Sequence, residues 1–237
     1  MPEPKVLLII PAYNEAKNLG GVIDEIKKEV PFCDILVVND CSTDATTAVC
    51  AGRGVPYIST IFNLGIGGAV QTGYKYAAAR GYDIAIQVDG DGQHPAGQIP
   101  QLIAPLLAGE ADLVTGSRYL VPMGYKLQYP RFIGTKLFSL LTSAILGEKI
   151  TDVTSGFRAA NARTVSFLSV EYPEDFPDVE TILLLGLSGY KLKEIPLHMR
   201  PRASGRSSIN FQKSVVYCFK TLVSVLSVLL RKRFSGT

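Results

Sequence analysis

The sequence predicts an α/β domain, a mostly parallel sheet with helices on both faces. Three observations predict it. Short apolar, β-branched runs alternate with stretches of helical periodicity, the pattern of strands joined by crossover helices. Polar clusters fall where those runs stop, as in sheets that receive ligands beyond the carboxyl ends of their strands. Apolar residues make up 47% of the 237 positions, enough for a large buried core.

Lys5 to Ile10 reads as a first buried strand, closed by Pro11-Ala12-Tyr13-Asn14-Glu15. Leu19, Val22, Ile23 and Ile26 recur at helical spacing and predict a helix over 18–30. Asp34 to Val38 reads as a second strand that runs out in Asn39-Asp40-Cys41-Ser42-Thr43-Asp44. Ser42 or Asp44 is expected to cap the helix that follows. A short third strand lies at Tyr57-Ile58-Ser59. Asn63-Leu64-Gly65-Ile66-Gly67-Gly68 then leads into a helix over 69–79. The fourth strand is expected to end at Asp89. Leu113 to Tyr119 is a fifth, with Ser117-Arg118 at its end. Arg131 precedes an apolar helical run from Phe132 to Leu146, and residues 152–158 form a loop of small polar groups. Phe176 to Glu180 opens another helix, and Tyr190 to Met199 is the last strand.

The fourth strand carries the densest chemistry, Ile84-Ala85-Ile86-Gln87-Val88-Asp89-Gly90-Asp91-Gly92-Gln93-His94-Pro95. Extended backbone alternates its side chains, so Asp89, Asp91 and Gln93 would project to one side. Three oxygen donors there suit a hard divalent cation, Mg²⁺ or Mn²⁺, held against phosphate oxygens. Gly90 and Gly92 would let a ligand approach the backbone. The other reading of this stretch is a Gly/Asp turn joining two strands. His94 reads as a hydrogen-bonded loop residue rather than a catalyst.

Composition excludes several classes. A net charge of +3 is too small for general nucleic-acid binding. Basic residues nevertheless crowd the chain after Lys191, with Glu194 the only acid among them, which points to an anionic partner, phosphate or lipid. Gly65-Ile66-Gly67-Gly68-Ala69-Val70 breaks the dinucleotide fingerprint at its last position, and no Gly-Lys-Ser/Thr loop occurs, so NAD enzymes and P-loop NTPases are disfavoured. The chain from Pro2 to Tyr13 lacks the glycine-rich basic loop of a sugar nucleotidyltransferase. Cys33, Cys41, Cys50 and Cys218 fit no zinc spacing and no signal peptide precedes them, so a reduced, cytoplasmic chain is expected.

Taken in order, these motifs resemble the family 2 glycosyltransferases of the GT-A fold, and within them the polyprenyl-phosphate (undecaprenyl- or dolichyl-phosphate) sugar synthases. The resemblance is carried by the runs 11–15, 38–44, 63–69 and 89–95, by Gly116-Ser117-Arg118-Tyr119, by 152–158 and by Arg200-Pro201-Arg202-Ala203-Ser204-Gly205-Arg206-Ser207. It implies that Pro11, Tyr13, Glu15 and Asp40 hold the nucleoside of a nucleotide-diphosphate sugar. It implies that Asp89, Asp91 and Gln93 hold the metal and diphosphate. Arg118, Arg131 and Arg202 would face the acceptor phosphate and, with Asp91, form the catalytic set, while Thr135, one turn beyond Arg131, would also face the phosphate. Two departures stand out. Ile66 replaces a lysine or arginine common in relatives, and the multi-span membrane region of many relatives is absent, so a small membrane-protein partner is expected to complete an anchor, with a homo-oligomer the other partner expected.

The acceptor decides whether a base is needed. A hydroxyl must lose a proton to a nearby carboxylate, whereas a phosphate monoester is already ionised and needs only cationic positioning. Asp178 and Glu180 open a helix, where a carboxylate favours the helix dipole, and either one keeps a hydroxyl-acceptor enzyme open. A non-catalytic nucleotide-sugar-binding subunit is the alternative from another class, and the intact Asp89-Asp91-Gln93 run argues against it.

Lys213, Tyr217, Lys220, Ser224, Ser227 and Arg231 step along one helical face, and Val215, Phe219, Leu222, Val223, Leu226, Leu229 and Leu230 fill the opposite one. The expected organisation is therefore a catalytic domain over 1–210 and an amphipathic helix with a basic tail over 211–237. That helix would lie in the membrane interface, with Arg231-Lys232-Arg233 near anionic lipid, making the protein peripheral on the inner face of the membrane. Packing on the domain itself or on a second subunit is the alternative.

Overall fold

Val6 to Ala12 is buried at every position, as a strand covered on both faces must be. The computed structural model describes residues 3–120, 129–173, 177–200, 221–223 and 225–230, the side chains of 129–133 excepted. Among the described residues the strands are β1 (Val6–Ala12), β2 (Cys33–Asn39), β3 (Tyr57–Ser59), β4 (Ile84–Gln87), β5 (Leu113–Ser117), β6 (Arg158–Asn161) and β7 (Leu192–Pro196). They form one sheet in the order β3-β2-β1-β4-β6-β5-β7. All pairings are parallel except those of β6, which runs antiparallel to both β4 and β5.

The helices are α1 (Ala16–Glu29), α2 (Thr46–Gly52), α3 (Gly65–Ala79), α4 (Ile99–Leu107), α5 (Tyr129–Leu146), α6 (Ala162–Val170) and α7 (Pro177–Leu187). Alternation along β1 sorts them onto two faces. Val6, Leu8 and Ile10 pack with Leu19, Ile23 and Ile26 of α1 and Ile99 and Leu102 of α4. Leu7 and Ile9 pack with Val70 and Tyr74 of α3 and Val165 and Leu168 of α6. Each such aliphatic side chain taken from water contributes about 1.5–3 kcal/mol. A third cluster joins Phe138 of α5, Val179, Ile182 and Leu183 of α7, and Val225 and Val228.

Several elements differ from the sequence-based expectation. β4 stops at Gln87, two residues before Asp89. α3 begins at Gly65, so the glycine run is its first turn rather than a loop before it. Arg131 lies inside α5 instead of ahead of it. Neither expected residue occupies the cap position of α2, which is Ala45. Asp44 nonetheless accepts the Thr46 N–H at 2.9 Å, and Ser42 accepts the Asn14 N–H instead. β6, α4 and α6 were not anticipated. Arg158-Ala159-Ala160-Asn161 has no β-branched residue, and α4 contains Pro100 and Pro105, though Pro100 sits harmlessly in its first turn.

Thr221, Val225 and Val228 face the protein, while Leu222, Val223, Leu226, Leu229 and Leu230 are exposed. The described part of the C-terminal helix thus packs on the domain and still turns an apolar face outward. Exposed Leu137 and Leu140 of α5 add to the outward apolar surface of the elements in this third cluster. Among the described residues no helix is long and apolar enough to cross a membrane.

Candidate active site

The carboxyl ends of β1, β2 and β4 lie side by side, and the loops leaving them interlock. Asn14 follows β1 in the left-handed region, φ 55°, a conformation that asparagine tolerates better than most residues. Its Oδ1 accepts the N–H groups of Thr43 at 2.8 Å and Asp44 at 3.3 Å. Asp44 in turn accepts the Ala16 N–H at 3.1 Å, at the first residue of α1. These bonds join the β1 and β2 loops into one wall.

Asp40 leaves β2 pointing at the start of α3. Its Oδ1 accepts the Leu64 N–H at 2.7 Å and the Thr60 hydroxyl at 3.1 Å, and its Oδ2 accepts the Gly65 N–H at 2.9 Å. A buried carboxylate with three donors at a helix N-terminus is well stabilised. Asp40 therefore shapes this end of the site as well as lining it.

Beyond β4 the chain turns at Gly90-Asp91, and Gly92 takes φ 79°, which a side chain would resist. Asp89, Asp91 and Gln93 accordingly do not form a row on extended backbone. Asp91 is buried, and its Oδ1 accepts the Gln93 N–H at 3.0 Å. Asp89 is more open, and its N–H donates to His94 Nδ1 at 3.0 Å. The His94 ring stacks on Phe157 with centroids 4.7 Å apart, which matches a loop-holding role. The Gln93 amide turns away and donates to the Arg200 carbonyl at 3.1 Å.

The opposite end comes from the 152–156 loop and α7. Because β6 is antiparallel to β4, with Arg158 opposite Gln87, the start of β6 meets the end of β4. Gly156 consequently sits against Asp89. Buried Arg158 donates from Nη2 to the carbonyls of Val153 at 3.1 Å and Asp178 at 2.8 Å, tying the loop to the first turn of α7. Arg118 is also buried. It is held bidentately by fully buried Asp152, with Nε to Oδ2 and Nη2 to Oδ1 both at 2.7 Å. Its Nη2 donates as well to the Thr154 hydroxyl at 2.7 Å, and Thr154 lies 3.3 Å from the buried Thr135 hydroxyl. The side chain of Arg131, and Arg202 as a whole, lie outside the described residues.

Between these walls is a cavity of about 490 Å³. Pro11, Tyr13, Glu15 and Asp40 line one end, with Asn63, Gly65 and Ile66 of the α3 turn. Asp89, Gly90 and Asp91 line the middle, and Thr154, Gly156 and Asp178 the other end. All six residues expected to hold the nucleotide-sugar line it. Gln93, Arg118 and Thr135 are not lining residues; Arg118 and Thr135 reach it through Thr154. Thr154, Gly156 and Gln87 were missed as site residues. For Thr154 and Gly156 the signal is the polar loop at 152–158, whose partner strand cannot be read from the sequence, and for Gln87 it is a polar residue closing the apolar run of β4.

Among the described residues no three His, Cys, Asp or Glu side chains gather as a ready-made metal centre. Two carboxylates beside an open cavity still fit Mg²⁺ or Mn²⁺, since such cations are commonly held by one or two carboxylates together with substrate phosphates.

Comparison with known proteins agrees with this architecture. Residues 7–166 match the model of glycosyl transferase family 2. The undecaprenyl-phosphate mannosyltransferase of Micrococcus luteus is 32% identical over 216 residues, covering 87% of this chain and 88% of that protein. The polyprenol monophosphomannose synthase of Mycolicibacterium smegmatis is 29% identical over 220 residues, 88% of this chain and 82% of the relative. Among solved structures, glucosyl-3-phosphoglycerate synthase from Mycobacterium tuberculosis, in complex with Mn²⁺, uridine-diphosphate and phosphoglyceric acid, aligns with a TM-score of 0.72 at 22% identity. The alignment covers 95% of this chain and 78% of that one and establishes a shared GT-A-like fold.

Proposed function

The chain belongs to glycosyl transferase family 2, and we propose that it transfers a sugar from a nucleotide diphosphate to a polyprenyl phosphate, inverting the anomeric carbon. What supports this reading above all is that Pro11, Tyr13, Glu15, Asp40, Asp89 and Asp91, gathered from three strand ends, line one cavity. Pro11, Tyr13, Glu15 and Asp40 hold the nucleoside. Asp89 and Asp91 would hold Mg²⁺ or Mn²⁺ against the diphosphate, and Gln93, expected beside them, instead keeps its amide on the Arg200 carbonyl outside the lining. A divalent cation bound there neutralises the charge that builds on the leaving nucleotide. The sugar then lies between the diphosphate and the end lined by Thr154, Gly156 and Asp178, where the acceptor is received.

Arg118, Arg131, Thr135 and Arg202 serve the acceptor phosphate, Arg118 and Thr135 from their places around Thr154. A phosphate monoester needs no base, so the chain's task at this end is to orient an anion on the face opposite the leaving group. The outward apolar face of α5 and the C-terminal helix supports work at a membrane surface. That surface is taken to be the cytoplasmic one. Asp178 on the cavity wall favours one second reading, a hydroxyl acceptor deprotonated by that carboxylate.

A panel of nucleotide-sugars, offered with membrane lipid extract and Mn²⁺ or Mg²⁺, separates the two by mass analysis of the product. A glycosylated polyprenyl phosphate is expected. Asp91→Asn, which preserves an acceptor for the Gln93 N–H, should abolish transfer without unfolding the chain. Full turnover in excess chelator, or sugar found only on hydroxyl acceptors, would sink the proposal.

A further inference from the structure

Glu194 is the only acid in the basic stretch that follows Lys191, and it stands on β7 at the edge of the sheet, outside the cavity. Its carboxylate is nonetheless fully engaged. Oε2 accepts the Thr151 N–H at 2.7 Å and the Thr151 hydroxyl at 2.8 Å, and Oε1 accepts the Asp152 N–H at 2.7 Å. Gripping two consecutive amides with one rigid carboxylate fixes the peptide between them, and charge-assisted bonds of this kind are the strong ones. That peptide carries Asp152, whose side chain is fully buried and so takes its direction from its backbone. Asp152 accepts from Nε, Nη2 and the backbone N–H of Arg118. Arg118 passes the constraint to the Thr154 hydroxyl on the cavity wall. Ser117 adds a brace, with its hydroxyl 2.6 Å from that of Thr151.

We infer that Glu194 is a positioning residue for the acceptor end of the cavity, acting through Thr151, the Asp152–Arg118 pair and the Thr154 hydroxyl. Fold stability alone requires no such route, because β7 is already paired with β5 along five residues. The route ends at the one wall of the cavity that the nucleoside end does not share. Glu194 therefore acts on how the acceptor is received and not on how the nucleotide is held. This rests on the acceptor reading proposed above.

The test is a double-mutant cycle between Glu194→Gln and Thr154→Val in the full chain. Glutamine keeps the shape of Glu194 but offers one acceptor oxygen, so its amide nitrogen confronts an N–H donor. Glu194→Gln is expected to raise the acceptor KM roughly tenfold, the scale of losing one orienting bond to a charged group. Binding of UDP or GDP with Mn²⁺, measured by calorimetry, should stay within about twofold. The double variant should lose little more than the worse single variant, because both act along one chain. Lys193→Ala, an exposed neighbour on β7, is expected to match the wild type. If Glu194→Gln melts below the assay temperature, Glu194→Asp, which keeps both oxygens on a shorter stem, enters the cycle in its place. Independent, multiplying effects would overturn the inference, as would an unchanged acceptor KM or an equal loss of nucleotide binding. If the wild type itself glycosylates no polyprenyl phosphate, the proposed function falls and this inference with it. Turnover by the wild type with a multiplicative cycle removes the inference alone.

Discussion

Gly156 should tolerate no side chain without crowding the Gln87 amide and the Asp89 carboxylate. A Cβ built there would stand 3.0 Å from Gln87 Nε2 and 3.3 and 3.4 Å from the two Asp89 carboxylate oxygens. Contacts below 3.4 Å are tighter than nine in ten real ones, so Gln87 must yield about 0.4 Å (3.4 minus 3.0) and the nearer Asp89 oxygen about 0.1 Å (3.4 minus 3.3). Gln87 is buried in β4, and its Oε1 accepts the Tyr172 hydroxyl at 3.4 Å, which limits its freedom. The Asp89 side chain is 38% exposed and borders the cavity, so it can swing. The Gln87 amide end and the Asp89 carboxylate move and the sheet stays. Gly156→Ala is then expected to cost about 1 kcal/mol of stability, the low end of overpacking. In a chain of this size that is a drop of about 2–4 °C in Tm.

The larger effect falls on ligand binding. A displaced carboxylate should weaken Mn²⁺-dependent binding of UDP or GDP about tenfold, equivalent to about 1.4 kcal/mol. Nucleotide binding without Mn²⁺ should be unchanged. Titration calorimetry with and without the metal, beside a thermal melt, reads both quantities. Gly21→Ala is the control, because a Cβ there meets nothing within 4 Å on an exposed turn of α1, and it should raise stability by about 0.5–1 kcal/mol. Wild-type Mn²⁺-dependent affinity in Gly156→Ala would refute the reasoning, and so would a collapse of the fold, which would mean that the sheet had moved instead.

Asp40→Asn should lose both stability, by about 1–3 kcal/mol, and nucleotide affinity, because one carbonyl oxygen cannot serve the Leu64 and Gly65 N–H groups and the Thr60 hydroxyl together; a melt unchanged from wild type would contradict this. Burial raises the Asp112 carboxyl's pKa, but the Lys191 N–H, the Asn161 amide and the charges of Arg163 and Lys191 outweigh it and hold the group below its ordinary 3.8. Its contribution is therefore full above about pH 4–5 and is lost as pH falls through the lowered folded value, so Asp112→Asn should flatten the acid limb of a stability-versus-pH curve, and an unaltered limb would count against the assignment. Replacing Leu222, Leu226 and Leu229 together with Ser should abolish flotation with anionic vesicles while leaving Tm within about 4 °C, since all three are exposed; equal flotation would remove the case for a membrane-facing surface.

What could be read from the sequence divides along a physical line. Asp40, Asp89 and Asp91 announce themselves because a carboxylate ending an apolar strand has no use in a core, so a ligand or a helix terminus must explain it. The parallel strands β1, β2 and β4 are legible for a related reason, because burial on both faces leaves nearly unbroken apolar runs. β6 carries no such mark. Arg158-Ala159-Ala160-Asn161 is a strand because β4 and β5 pair with it from both sides, and neither pairing can be inferred from four residues. Everything that depends on β6 was hidden with it: Gly156 against Asp89, Thr154 on the wall, and the loop that gives Arg118 a partner 34 positions away. Arg118 is the instructive case. Its motif points to an anion, and the anion that holds it here is Asp152 of the same chain. A phosphate reaching this end must therefore either work beside an arginine already committed to a carboxylate or compete with that carboxylate for it. A buried bidentate pair yields only at a large cost. The arginine is accordingly better suited to orienting Thr154 than to leaving Asp152.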